Sequence, residues 1–394
     1  MRVLFVTTSK ETHEGSSKAL LQILGGLLEK GVTPMVILPE KKSLYLELQN
    51  RGIYCDVLPR SFRMSVLPNT KTRKDKLLFI PRLIGRCIIN SLATTDLLKV
   101  AKHFSPDLIH TNVSVTPIGY YVARLLKLPH VWHIREYGAL DLNTFYYYPS
   151  FGVQKKRYKR KRSYTIGITK DILRYNNLTT HHNSTVIYDG VLPANATNYR
   201  QEKQPYFLFA GRLEKIKGIL PLIDAYAEYT QRHPSPIPLY IAGSGTTSYE
   251  HLVKEKIKHH GLEKQILLLG MRNDILELYQ EAKALIVSSL SEGFGFITAE
   301  AMFSGCLVIG HDVAGTKEQF DNGKEMTGEE IALRYTTQEE LVQHLINATN
   351  YPIEHFEPMI LSAQQVVCKL YTAEKNSEHI YNLYTSILNQ KSHD

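Results

Sequence analysis

The sequence predicts an α/β protein with two doubly wound parallel-sheet domains and a C-terminal helical tail. Three observations predict it. Short apolar, β-branched runs alternate with longer stretches of helical periodicity, the pattern of a parallel sheet covered on both faces. The alternation restarts near residue 205, after a polar segment with prolines at both ends, Pro193–Pro205. The length of 394 residues suits two domains at roughly 150 residues each.

In the first half the strand candidates are Arg2–Val6, Pro34–Leu38, Ile53–Leu58, Asp107–His110, His130–Ile134, Tyr164–Ile168 and Thr185–Tyr188. Between them, Leu20-Leu21-Ile23-Leu24-Leu27-Leu28 and Ile118–Leu126 repeat at helical spacing. In the second half the candidates are Tyr206–Ala210, Leu239–Ala242, Ile266–Leu269, Ala284–Val287 and Cys306–Ile309. From about residue 338 the chain reads as helix. The expected divisions are a first domain over 1–192, a linker over 193–204, a second domain over 205–371, and a helix over 372–394 that packs back on the first domain.

Composition sets limits. At 43% hydrophobic and 22% charged residues, bulk disorder is excluded and apolar material suffices for two cores. The cysteines Cys55, Cys87, Cys306 and Cys368 are widely spaced, which argues against a disulfide scaffold and fits a reducing compartment. The first strand candidate is too brief for a signal sequence, and no run of about 18 apolar residues exists. A cytoplasmic protein is expected, and the Asn-x-Ser/Thr sequences are read as chance.

The formal charge of +9 hides a division. Residues 1–190 hold 29 Lys+Arg against 13 Asp+Glu, whereas residues 191–394 hold 18 against 25. A basic half joined to an acidic half suggests that one domain meets an anionic surface or substrate.

The chemistry-bearing motifs fall after strand candidates, where ligands bind in doubly wound sheets. Gly211-Arg212-Leu213-Glu214-Lys215-Ile216-Lys217-Gly218 follows the first strand of the second domain. It brings the cations Arg212 and Lys217 to a helix entrance, a setting for a diphosphate. The plainer alternative is a solvated basic loop. Ser291-Glu292-Gly293-Phe294-Gly295-Phe296-Ile297-Thr298-Ala299-Glu300 follows another strand and opens a helix. Gly293 and Gly295 allow close approach of backbone to ligand. Glu300 lies about 7–8 Å along the helix from Gly295, roughly the separation of a diphosphate from a nucleoside ribose. Glu292 would then face a sugar at the other end of the diphosphate. The alternative for such a glutamate is simple compensation of the helix dipole.

Glu292 and Glu300 with the internal Gly-Phe-Gly, downstream of Gly-Arg-x4-Lys-Gly, resemble the donor site of glycosyltransferase family 4. Tyr188-Asp189-Gly190-Val191 resembles the family's Asn-Gly-Val, with Asp189 in place of Asn. Ala314-Gly315-Thr316-Lys317-Glu318 resembles its Gly-Gly-x-x-Glu segment, with Ala314 in place of the first Gly. The resemblance covers most of the chain. It implies the GT-B fold, two Rossmann-like domains facing a cleft, and a retaining hexosyltransferase acting with a nucleotide-diphosphate sugar, a UDP-sugar by family frequency. It places Arg212, Lys217, Gly15 and Gly295 at the diphosphate. It places Glu292, Gly293, Phe294 and Gly295 at the transferred sugar, Glu300 at the ribose, and Met271 and Arg272 beside the base. His133, in Val131-Trp132-His133-Ile134-Arg135-Glu136, matches a family histidine near the donor sugar and joins Glu292 as a catalytic candidate. Arg135 and Glu136 are acceptor-side candidates or a pair with each other. The acceptor is expected to be a glycan or a lipid-linked species.

No metal site is read from the sequence: there is no H-E-x-x-H and no Asp-x-Asp suited to a nucleotide diphosphate. Metal independence and the absence of a bound cofactor are expected, with Arg212 and Lys217 supplying the positive charge. Gly243-Ser244-Gly245 lacks the third glycine and the acidic residue of a dinucleotide site and reads as a tight strand exit.

Two clusters carry much of the first domain's charge, Lys155–Arg162 with seven cations and Arg60–Arg86 with eight. Phe145-Tyr146-Tyr147-Tyr148-Pro149 adjoins the first cluster, and aliphatic residues are interspersed in the second. Cations beside apolar groups suit an anionic membrane surface, and a solvated helix face is the alternative. No nucleic-acid recognition motif is present. The competing functions are a sugar-nucleotide epimerase and a catalytically silent binding protein on the same fold.

Overall fold

The structure is a computed structural model of the chain. It describes residues 1–64, 66–68, 72–138, 144–147 and 150–391, with backbone alone at 66–68, 144–147 and 391. It divides into two compact units, Met1–Gly190 with Ala373–Asp394, and Val191–Thr372.

The first unit begins β1 (Arg2–Val6), α1 (Gly15–Glu29), β2 (Thr33–Leu38), α2 (Ser43–Asn50) and β3 (Tyr54–Val57). It continues β4 (Val66–Pro68), α3 (Arg73–Leu77), α4 (Phe79–Phe104), β5 (Leu108–Thr111), α5 (Ile118–Leu126), β6 (His130–Ile134) and β7 (Thr144–Tyr147). Then come α6 (Phe151–Tyr158), β8 (Ser163–Gly167), α7 (Lys170–Tyr175) and β9 (Ser184–Val186). Seven strands form one parallel sheet in the order β3-β2-β1-β5-β6-β8-β9, while β4 and β7 form a separate antiparallel pair. Val3–Val6 and Leu108–Thr111 are buried throughout. Burial on both faces is why Val3–Val6 is an unbroken apolar run rather than an alternating one, whereas β5 carries the buried polar residues His110 and Thr111.

The second unit contains β10 (Gln204–Ala210), α8 (Ile219–Arg232), β11 (Leu239–Ala242), α9 (Thr247–His259), β12 (Ile266–Gly270) and α10 (Ile275–Glu281). It continues β13 (Ala282–Val287), α11 (Phe296–Phe303), β14 (Val308–His311), α12 (Ala314–Thr327), β15 (Leu333–Tyr335), α13 (Gln338–Asn350) and α14 (Glu357–Leu370). Its six parallel strands run β12-β11-β10-β13-β14-β15. Phe207, Phe209, Ile241 and Ile286 of this sheet share a core with Leu222, Ile223 and Tyr226 of α8.

The last helix, α15 (Ala373–Lys391), belongs to the first unit. Ile380, Tyr384 and Ile387 enter a core with Leu20, Leu24 and Leu27 of α1. A Cβ on Gly26 would lie 2.2 Å from Ser377 Oγ, so this helix–helix contact needs glycine.

The structure adds strands that sequence patterning passes over. In β15 an arginine sits between two apolar residues, leaving no apolar run, and β4 and β7 lie outside the main sheet. β14 starts at Val308 rather than Cys306, and β9 ends before Tyr188. In both sheets the strand order reverses beside the first strand, between β1 and β5 and between β10 and β13. The connections leaving those strands flank a crevice at the carboxyl edge, the usual ligand position in such sheets.

Candidate functional site

In the second unit the loops after β10 and β13 meet at the switch point. Lys217 Nζ donates to Glu292 Oε1 at 2.5 Å, with side chains 18% and 11% exposed. Ser289 Oγ donates to the same Glu292 oxygen at 2.7 Å. The loops are joined again by Ser288 Oγ to the Lys217 carbonyl at 2.9 Å and by Leu290 N to the Ile216 carbonyl at 2.8 Å. Lys217 and Glu292, assigned from sequence to the diphosphate and the sugar separately, are thus in contact. Arg212 pairs instead with Glu214 at 3.0 Å and keeps 71% of its side-chain surface exposed.

Glycines permit this close approach. Gly218 has φ +67°, and a Cβ there would lie 1.9 Å from the Ser288 carbonyl oxygen. Gly243 and Gly211 meet in the same way, with a Gly243 Cβ falling 1.8 Å from the Gly211 oxygen. The Gly-x-Gly after β11 is therefore a strand exit packed against the β10 loop.

Gly295, at φ +94°, precedes α11. The unpaired N–H groups of a helix start favour an anion. Around Gly295 stand Gln319 Nε2, Thr298 Oγ1 and Thr316 Oγ1, at 3.2, 3.3 and 3.5 Å from the position of a Cβ. Both threonine hydroxyls are buried without a hydrogen-bond partner among the described residues. The Gln319 amide donates to the Phe294 and Gly295 carbonyls, and Gly315 N donates to the Glu292 carbonyl at 2.9 Å. The Ala314–Glu318 segment thus braces the loop that carries Glu292. Ser289, Thr298, Thr316 and Gln319 were not singled out by sequence, since single hydroxyls and amides carry no spacing signal.

Glu300, one turn into α11, is 7% exposed, with the Tyr279 hydroxyl 3.4 Å from its carboxylate. Burial, reinforced by that carboxylate, pushes the Tyr279 hydroxyl well above its ordinary pKa. Met271 and Arg272 follow β12 on an exposed turn, and Arg272 is paired with Asp274.

In the first unit, His133 lies fully buried in β6. Burial, then the charge of Arg135, holds its imidazole well below the usual range and therefore neutral. Arg135 and Glu136 do not pair through their side chains. Arg135 forms a buried ion pair with Asp189, and the Glu136 carboxylate accepts from Ser114 N, Ser114 Oγ and the Arg135 backbone N–H. The Asp at the Asn-Gly-Val position is thereby explained: a buried guanidinium needs a carboxylate counter-charge. Gly15 is the first residue of α1. Next to it the Ser16 carbonyl accepts from Asn112 Nδ2 at 3.2 Å, which ties the β1 loop to the end of β5.

The Lys155–Arg162 cluster is only partly solvated. Arg157 is buried on Gln154 and Tyr121, Lys155 donates to the Tyr175 carbonyl, and Arg162 donates to the Lys127 carbonyl. In the other cluster Arg60 pairs with Asp96 and Arg82 with Asp75. Lys71, Tyr148, Pro149 and the side chains of Phe145, Tyr146 and Tyr147 lie outside the described residues. Among the described residues, no helix is long and apolar enough to cross a membrane.

Residues 195–358 match the family model described as glycosyl transferases group 1. An uncharacterised glycosyltransferase of Methanocaldococcus jannaschii is 31% identical over 149 residues, covering 34% of this chain and 37% of that protein. The D-inositol 3-phosphate glycosyltransferase of Corynebacterium aurimucosum is 34% identical over 112 residues, 27% of each chain. The matches therefore span about a third of the length of these curated relatives, or less. The solved structure of HepE from Anabaena in complex with UDP and glucose aligns with a TM-score of 0.76 at 18% identity, covering 98% of this chain and 100% of that one. Over residues 195–358 the chain is similar in sequence to group 1 glycosyltransferases, and over nearly its whole length it shares with HepE a fold of two Rossmann-like units of the GT-B type.

Proposed function

We propose that the protein is a retaining hexosyltransferase that moves a sugar from a nucleotide-diphosphate donor, a UDP-sugar by preference, to a glycan or lipid-linked acceptor. The observation that carries this reading is the Lys217–Glu292 contact beside the Gly295 helix start, inside the segment that matches the family. Similarity to a protein solved with UDP and glucose supports the choice of donor.

In this reading the departing diphosphate gathers negative charge between Lys217, Arg212 and the first N–H groups of α11. Charge stabilisation of that kind is commonly the largest catalytic contribution. The reaction needs no metal, because these groups supply the counter-charge. An arriving diphosphate competes with Glu292 for Lys217 and frees the Glu292 carboxylate to hold hydroxyls of the transferred sugar. Glu300 accepts from the ribose, and the turn at Met271 and Arg272 borders the base. His133 serves the donor sugar as a neutral group, and the basic first unit meets an anionic membrane surface that holds the acceptor.

A thermal-shift screen against nucleotide sugars tests the reading, because a ligand that binds only the folded state raises Tm. A UDP-sugar is expected to give the largest rise and, with acceptor present, to be consumed with retention of anomeric configuration. Conversion of donor to an epimer without acceptor, or binding without transfer to any acceptor, would overturn it.

A further inference from the structure

A connected run of buried polar side chains occupies the carboxyl ends of β5 and β6 in the first unit: His110, Asn112, His133, Arg135, Asp189 and, from α15, Tyr384. Its proton positions follow from one fact, that a guanidinium only donates. Arg135 Nε and Nη2 donate to Asn112 Oδ1 at 3.3 and 3.2 Å, and Nη1 donates to Asp189 Oδ1. Nη2 has a second hydrogen, directed at His133 Nδ1, 3.3 Å away. His133 Nδ1 is therefore an acceptor, and the single ring proton of this neutral imidazole sits on Nε2.

The same logic extends one residue further. His110 Nε2 lies 3.3 Å from the accepting His133 Nδ1, so His110 donates there and carries its proton on Nε2. Its Nδ1 is left to accept from the Tyr384 hydroxyl at 2.5 Å. The donations run from Tyr384 to His110 to His133. The free end is His133 Nε2–H, which is buried and has no hydrogen-bond partner among the described residues. The helix that carries Tyr384 also holds the segment before Asp189, since Asn376 Nδ2 donates to the Tyr188 carbonyl at 2.6 Å.

We infer that Arg135, itself held by Asp189, fixes His133 as its Nε2–H tautomer, and that His110 and Tyr384 are positioning residues that hold its ring in place. His133 then offers a hydrogen bond to an oxygen of the substrate and is unable to act as a base through Nε2. The identity of that oxygen, a hydroxyl of the donor sugar, rests on the glycosyl-transfer reading above. The tautomer does not.

Imidazole nitrogen NMR of the full-length protein labelled with 15N-histidine tests this, since the protonated and unprotonated ring nitrogens give distinct shifts. The expected spectrum shows His133 and His110 both with protonated Nε2, unchanged from about pH 8 to about pH 6. Tyr384→Phe should leave His133 protonated on Nε2, because Arg135 still holds its Nδ1, while His110 samples both tautomers. Turnover should fall, because the His133 ring then loses the fixed donation from His110 that holds it in place. His133→Gln, which keeps an N–H near the Nε2 position, should retain more transfer than His133→Asn. Protonated Nδ1 on His133 in the unaltered protein overturns the proposal, as does a Tyr384→Phe variant with unchanged His110 signals and full turnover. A protein with the expected tautomers and no transfer from any nucleotide sugar supports the proposal and overturns the glycosyl-transfer reading instead.

Discussion

Lys217 Nζ stands 2.5 Å from Glu292 Oε1, and this contact joins the loop after β10 to the loop after β13 at the reversal of strand order. Both side chains are mostly buried, so removing one strands the charge of the other. Lys217→Ala and Glu292→Ala are each expected to lower turnover by at least about 100-fold and to lower Tm. Lys217→Met combined with Glu292→Gln should recover stability without recovering transfer, because the buried charges go together while the chemistry stays lost. Steady-state transfer and thermal denaturation of the four proteins separate these effects. Near-wild-type transfer by both single variants would remove the pair from the active site.

The bracing segment makes a second prediction at two neighbouring residues. Ala314 has φ +48°, a conformation that costs an L-residue roughly 1–2 kcal/mol. Ala314→Gly should therefore stabilise the protein, by about 0.5–1 kcal/mol after the entropy cost of glycine. Gly315→Ala should do the opposite, since its Cβ would lie 2.7 Å from the Gly293 oxygen and 2.8 Å from Phe294 Cα and the Phe294 oxygen. The clash pushes on the loop that holds Glu292. Transfer is thus expected to fall with stability for Gly315→Ala and to persist for Ala314→Gly, as urea denaturation and kinetics would show.

These two pairs show what the sequence carries. Strands covered on both faces are rich in apolar residues, so the runs Val3–Val6, Tyr206–Ala210 and Ala284–Val287 are readable in the sequence. The glycines are readable too, because close approach allows no other residue. The ion pairs are not. Lys217 and Glu292 are 75 residues apart and Arg135 and Asp189 are 54 apart, and only the folded sheet edge brings each pair together. Asp189 was visible as a departure from a family motif, but its reason, the guanidinium it neutralises, is a tertiary fact. His110 and Tyr384, 274 residues apart, leave no local signature at all.

Three buried histidines give a pH prediction. Burial holds His110 and His133 well below their ordinary pKa and brings His130 down to about 3. Each folded pKa lies below the unfolded value of about 6.5, so below that pH the unfolded chain binds more protons than the folded one. Stability is then fully present above about pH 6.5 and is lost as pH falls, by up to about 1.4 kcal/mol per pH unit for each histidine. Asp189, whose pKa is raised by burial against the pull of Arg135, acts in the opposite sense. The urea midpoint should decline steadily from about pH 6.5 downward, and His130→Asn should reduce the slope by about one proton. A midpoint that is flat between about pH 6.5 and pH 5 would show that these rings are not held neutral.

The last prediction concerns the outer face of α3 and α4. Leu77, Ile80, Ile84, Ile88 and Leu92 are 80%, 57%, 54%, 55% and 40% exposed, and the spacing of the last four places them in one stripe along α4. Exposed cations Arg73, Lys74, Lys76 and Arg82 adjoin it. An apolar stripe edged by cations complements a bilayer whose headgroups are anionic. Burying an isoleucine contributes about 1.5–3 kcal/mol, and each cation near such a surface contributes about 1 kcal/mol. Flotation should therefore show stronger binding to vesicles with anionic lipid than to neutral ones. Ile84→Asp with Ile88→Asp should weaken that binding by at least about 100-fold, while transfer to a soluble acceptor analogue continues. Added salt should weaken it only in part, because screening acts on the cations and not on the isoleucines. Equal binding to both vesicle types would exclude the anionic surface, and dimerisation abolished by the same two substitutions would assign the stripe to a second copy of the chain.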